Sequence, residues 1–90
     1  MKAGDIVIVV ASAGWVFVGT ISDASTSQHT VLDRASVVRR WGTSKGLGEL
    51  AMRGPLAHTV LDPIGMVWIE HQHVLFSIPC KEPAWKGKLP

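Results

Sequence analysis

The sequence predicts an all-β fold: a small, five-stranded, strongly bent barrel with one short helix before the last two strands. Three observations predict it. Residues 6–21 read as an apolar run, a break at Ser12-Ala13-Gly14 and a second apolar run. Branched and aromatic side chains of this kind suit a pleated, buried surface. Near the other end, Met66 to Glu70 and Val74 to Ile78 flank the short polar stretch His71-Gln72-His73, which reads as a second hairpin. Finally, Gly19 interrupts the second run. A strand glycine marks a bend or bulge, and a very small barrel needs a sharply bent second strand to close.

Each element follows in order. Ile6 to Val10 and Trp15 to Ile21 are the first hairpin, with Gly14 supplying the positive φ of a short turn. Ser22 to His29 is a polar loop of small residues. Thr30 to Leu32 opens a third strand, Asp33-Arg34 is a polar break or bulge, and Ala35 to Trp41 continues it. Val31, Ala35, Val37 and Val38 are its expected buried positions. Leu47, Leu50 and Ala51 share a face at helical spacing. Thr43, Ser44 or Gly46 with Glu49 would start that helix, and Gly54-Pro55 would stop it after about two turns. Asp62-Pro63 and Gly65 read as a turn before the next strand. In Met66 to Glu70, Val67 and Ile69 point one way, and Met66, Trp68 and Glu70 the other.

Residues 1–80 are therefore expected to form one domain. Residues 81–90, rich in Lys and Pro, are expected to form a flexible basic tail with Trp85 as its only anchor. The expected core is Val7, Val9, Val16, Val18, Ile21, Leu32, Val37, Val67, Ile69 and Phe76. The opposite phase of the first hairpin stays open, because both phases are apolar there.

Ninety residues allow one domain, yet 47% of them are hydrophobic. A chain this small hides that much apolar surface with difficulty, which argues for a homo-oligomer. Trp68 points away from Val67 and Ile69. It is expected at a subunit interface with Met66, Val74 and Phe76, since tryptophan is enriched at such surfaces.

Net charge is +2, and its placement matters more than its size. Arg34, Arg39, Arg40, Lys45 and Arg53 face Glu49 alone in the middle of the chain. Arg39, Arg40, Trp41 and Lys45 combine cations with an aromatic ring, the ingredients of phosphate contact and base stacking. On a strand the two arginines face opposite sides. The plainer reading leaves one solvated and pairs the other with Glu49 or a neighbouring subunit's acid. That reading is favoured because the rest of the chain carries no broad basic footprint.

Other chemistry finds little support. His71 and His73 have a spacing zinc can use, with Glu70 and Cys80 as additions, but no second ligand pair stands at a diagnostic spacing. Cys80 with either histidine lacks an orienting third group. The carboxylates are scattered, and Gly46-Leu47-Gly48 lacks the rest of a phosphate loop. No metal, cofactor or enzymatic activity is expected. Lys2, Ile6 to Val10 and Ala11-Ser12-Ala13 loosely mimic a secretory leader, but Asp5 and the short apolar run point away from one. No run reaches transmembrane length, so no membrane contact is expected.

The order of apolar strand, Gly14 turn, strand with internal Gly19, third strand at Thr30 to Leu32, then Gly65-Met66-Val67-Trp68-Ile69 and Val74-Leu75-Phe76 resembles the Sm-like (SH3-like) small barrels. The resemblance implies rings built by pairing of edge strands. Members that bind RNA use an Asp and an Asn before the third strand and an Arg-Gly in the last turn. Those positions resemble Ser25, His29 and Glu70-His71 here, and reversing the charge at the arginine argues against the usual uridine pocket. A second stretch, Arg39-Arg40-Trp41-Gly42-Thr43, Gly46-Leu47-Gly48-Glu49-Leu50-Ala51 and Gly54-Pro55, resembles a family of small bacterial and phage proteins. That resemblance implies a bacterial or mobile-element origin, a cytoplasmic protein and no transferable activity. The expectation is a non-enzymatic, oligomer-forming binding or assembly module. The alternative is a nucleic-acid-binding Sm-like protein using Arg39, Arg40, Lys45 and the lysine-rich tail.

Overall fold

Strand β1 (Ile6–Ala11) is apolar at every position, and the structure uses both of its faces. Val7, Ile8 and Val9 are all fully buried. A strand can bury both sides only when it lies inside a sheet that is covered on both, and β1 has a neighbour on each edge. Its partners are β2 (Val16–Ile21), with Ile8 opposite Val18, and β5 (Val74–Pro79), with Ile8 opposite Ile78. Strand β3 (His29–Arg40) pairs with β2, and β4 (Val60–Glu70) pairs with β3. The result, in a computed structural model that describes residues 2–90, is one antiparallel five-stranded sheet of order β4-β3-β2-β1-β5. A short 3₁₀ turn, Ser12–Gly14, joins β1 to β2, with Ala13 and Gly14 both at positive φ. Another, His71–His73, joins β4 to β5.

The sheet is open. β4 and β5 are its two end strands and do not pair with each other, so the expected five strands are present but the expected closure is not. Curvature is built in where the sequence placed it. A Cβ on Gly19 would stand 3.0 Å from the Asp33 carbonyl oxygen and 3.1 Å from Ala35 Cα. The β2–β3 register shifts there, and β3 bulges at Asp33-Arg34 with Arg34 at φ 50°.

Two cores result, one on each face. The outer core joins Ile8, Val16, Val18 and Val38 to Leu47, Leu50 and Ala51 of helix α1 (Gly46–Arg53). The inner core holds Val7, Val9, Ala11, Leu32, Ala35 and Ile69, with Phe17, Ile21, Val67 and Val74 packed against it. The expected core set took one phase from β1 and missed that Ile8 is as buried as its neighbours.

Four expectations need correction. Phe76 is 52% exposed rather than in the core, because it lies on an edge strand opposite Val10, on the side away from the inner core. β4 and β5, expected to pair as a second hairpin, lie at opposite ends of the sheet and do not pair, and Val74 of β5, expected at an interface, is half-buried against the inner core. Asp62-Pro63 and Gly65 are not a turn but part of β4, with Ser36 opposite Pro63 and Ala35 opposite Gly65. Proline is tolerated there because β4 is an edge strand.

The fourth correction concerns residues 81–90, which pack against the domain. Helix α2 (Glu82–Trp85) delivers Trp85, fully buried, to the outer core, and Leu89 joins it. The Trp85 indole N–H donates to the carbonyls of Leu50 and Ala51, each at 3.2 Å. The Lys81 N–H donates to Ala51 O, and the Arg34 guanidinium to Leu89 O at 2.8 Å. Leu50 and Ala51 are among the last carbonyls of α1, which lack partners within the helix; this segment supplies donors to both, beside the Gly54 N–H that also reaches Leu50 O. Gly54 makes the approach possible. It sits at φ 78°, and a Cβ there would stand 2.2 Å from Ala84 O.

Candidate functional site

The end strands carry the first candidate surface. Both present backbone groups along an unpaired edge, the arrangement that templates pairing with another chain. On β4, Trp68 lies opposite Val31 and points away from the inner core, as the alternation of the sequence predicts. It is 59% exposed, and Met66 and Ile64 are exposed with it. Its ring meets His29 edge-on, with centroids 6.0 Å apart. On β5, Leu75 is 65% exposed beside Phe76. The register against β1 shifts between Val10 and Ala11, which pair with Phe76 and Val74, so Leu75 is the extra residue of a bulge.

An apolar groove of about 630 Å³ runs beside β4, lined by Phe17, Val67 and Ile69 from the inner core's side and by Trp15, Ile64 and Trp68 among others. Trp15 and Phe17 stack with centroids 6.2 Å apart and planes 10° apart. Two residues apart on extended backbone, these two face the same side, but their meeting with β4 depends on how the sheet curls.

The basic segment resolves differently from the expectation. Arg39 pairs with Asp62 across β3 and β4 at 2.8 Å, both side chains largely exposed. Such a pair contributes about 0–1 kcal/mol. Glu49 pairs with neither strand arginine. Its carboxylate accepts from the N–H groups of Ser44 and Lys45 and from Arg53 at 2.9 Å. The Lys45 N–H and then the Arg53 guanidinium hold its carboxyl below the usual carboxylate value. The start of α1 is therefore filled by its own acid. Arg40 and Lys45 are exposed and, among the described residues, have no ion-pair partner.

Trp41 stands between Arg40 and Lys45 in sequence, exposed on a backbone that is locked in place. Thr59 Oγ1 donates to its carbonyl at 2.7 Å. Gly42 follows at φ 70°, where a Cβ would lie 2.3 Å from the Thr59 nitrogen.

The histidine turn is a fastening. His71 Nδ1 lies 2.7 Å from the Ser27 carbonyl, which only accepts, so Nδ1 carries the proton. Nε2 then accepts from the Thr30 hydroxyl at 2.8 Å. With both nitrogens engaged, His71 ties the β2–β3 loop to the β4–β5 turn. A cleft of about 400 Å³ lies here among Ser27, Gln28, His29, Glu70, His71 and Gln72. Its one charged group, Glu70, accepts from Gln72 at 2.7 Å. Among the described residues, no three potential ligands converge on a metal position. Cys80 is half-buried, and burial pushes its thiol up to about 12. A thiol raised that far is almost wholly protonated at neutral pH and is not a nucleophile there.

No protein-family model and no curated protein matches the sequence. Among solved structures, the chain is similar to one in the crystal structure of the NatC complex bound to CoA. The TM-score is 0.57 at 17% identity, covering 94% of this chain and 86% of that one. At this identity the likeness supports the fold and carries no function. No helix among the described residues is long and apolar enough to cross a membrane.

Proposed function

We propose that the protein is a non-enzymatic assembly module of Sm-like, SH3-like character that self-associates by pairing β4 of one copy with β5 of the next. One observation carries this reading. The two end strands of a single open sheet both have unpaired edges, and both expose large apolar side chains, Met66 and Trp68 on one, Leu75 and Phe76 on the other. Pairing the edges satisfies the backbone and covers those side chains in one step.

Trp68 alone keeps 59% of its surface exposed. Covering the remainder removes about 90–150 Å² from water, worth about 2–4 kcal/mol at about 25 cal/mol per Å². Association costs about 4–15 kcal/mol, so Met66, Leu75, Phe76 and the new hydrogen bonds have to supply the rest. Because the edges differ, the interface is head-to-tail, and repeated pairing either closes a ring or grows a filament. Sedimentation equilibrium at micromolar protein is expected to show a dimer or larger, and Trp68→Glu is expected to dissociate it. A wild-type protein that sediments as a 9.7 kDa monomer refutes the reading. An assembly that survives Trp68→Glu places the interface elsewhere.

A second reading, single-stranded nucleic-acid binding at Arg40, Trp41 and Lys45, is favoured by the two unpaired cations flanking a locked, exposed tryptophan. Oligonucleotide affinity would then fall steeply with salt, and Arg40→Ala or Lys45→Ala would each lower the salt slope by about one. Binding that is absent at low salt removes this reading.

A further inference from the structure

The inner core is left open on one side. Helices α1 and α2 cover the outer core, but the inner core opens into the groove of Trp15, Phe17, Ile64, Val67 and Trp68. Two of these tryptophans are more than half exposed. On the opposite edge of the same sheet, the bulge in β5 turns out Leu75, the most exposed of that strand's large apolar residues. A bulge re-aims a side chain that regular alternation would have placed elsewhere.

We propose that the groove is filled by Leu75 and its flanking strand from a second copy of this chain. The inference rests on the head-to-tail pairing proposed above and adds to it a socket, built mainly from Trp15 and Phe17, that the pairing itself does not require. Three observations favour a second copy as the occupant. Its wall includes Ile64 and the run from Val67 to Glu70 of β4, the strand along which the partner's β5 would run, so the two surfaces are continuous. No lysine or arginine lines it, and Glu70 and His73 stand in its wall beside an otherwise apolar set, which suits an apolar strand better than a charged peptide. Its volume of about 630 Å³ is several times a leucine side chain, so it has room for the residues on either side of Leu75 as well.

The test uses two variants and their mixture. Leu75→Asp puts a charge on the knob, and Trp15→Asp puts one in the socket. Both positions are more than half exposed, so both proteins are expected to keep the wild-type circular dichroism spectrum. Trp15→Ala replaces Trp15→Asp if the latter loses it. Each variant alone is expected to sediment as a monomer. Mixed in equal amounts, one chain still has an intact socket and the other an intact knob, so a dimer of about twice the 9.7 kDa chain mass is expected, with nothing larger. The milder Leu75→Ala is expected to raise the dissociation constant about tenfold to a hundredfold.

Monomers that stay monomeric on mixing overturn the proposal, because knob and socket then do not meet. A wild-type assembly unaffected by either charge overturns it while leaving edge pairing intact, and points to another occupant, such as an unrelated apolar peptide. A monomeric wild type removes the edge pairing and the socket together.

Discussion

Replacing Trp85 by alanine is expected to cost this domain much of its stability. The side chain is fully buried in the outer core between the sheet and α1. Truncating a buried tryptophan costs about 3–5 kcal/mol. The hydrogen bonds are a small part of that. Leu50 O also accepts from the Gly54 N–H and Ala51 O from the Lys81 N–H, so neither carbonyl is orphaned when the indole goes. Packing therefore dominates. A domain of ninety residues has a total stability of about 5–13 kcal/mol, so the variant loses about a quarter of it or more. Its melting temperature should fall by about 12–40 °C. Trp85→Phe keeps most of the volume and is expected to cost far less. Urea titration followed by circular dichroism gives both numbers. A loss below about 1 kcal/mol for Trp85→Ala would mean that residues 81–90 rest on the domain without being part of it, and the argument from burial would fail.

Two further outcomes follow from single side chains. Ser36 is fully buried, and its hydroxyl has no hydrogen-bond partner. Ser36→Ala is therefore expected to leave stability unchanged or raise it by up to about 1 kcal/mol, and a clear loss in the same urea titration would contradict the orphaned hydroxyl. Glu49 has its folded-state carboxyl lowered by the Lys45 N–H and Arg53. Its contribution is thus complete above the ordinary carboxylate value and lost as pH falls through the lowered one. The stability gap between wild type and Glu49→Gln should be widest at pH 7 and close toward pH 3, whereas a gap independent of pH would show that the carboxylate's charge is irrelevant.

How much the sequence disclosed depended on whether a signal was local. The first hairpin was legible because branched residues, Gly14 and Gly19 each state a local preference. Helix α1 was legible from the spacing of Leu47, Leu50 and Ala51. The first half of β4 was not, because Asp62, Pro63 and Gly65 carry turn chemistry, and only their place on an edge lets them continue a strand. Trp85 was read as the anchor of a loose tail because one aromatic among lysines and prolines has no period. Its true neighbours, Leu50 and Ala51, lie more than thirty residues back. Within the candidate surfaces, the outward phase of Met66 and Trp68 was readable by alternation, but the pairing of Arg39 with Asp62 and the groove under Trp15 come from strands brought together only by the curl of the sheet.

Pro63 has a consequence for any growth of this molecule by strand addition. It lies within β4, and Pro79 is the last residue of β5. Neither carries an N–H, so a strand laid along either edge forfeits a bond wherever it needs that donor. An incoming strand that slides out of step meets the gap sooner, and a flat stack of many copies would repeat the defect at every layer. One proline on each edge thus interrupts whatever strand addition that edge would support, shortening the stretch open to pairing and discouraging the indefinite cross-β stacking that long, unbroken apolar edges invite.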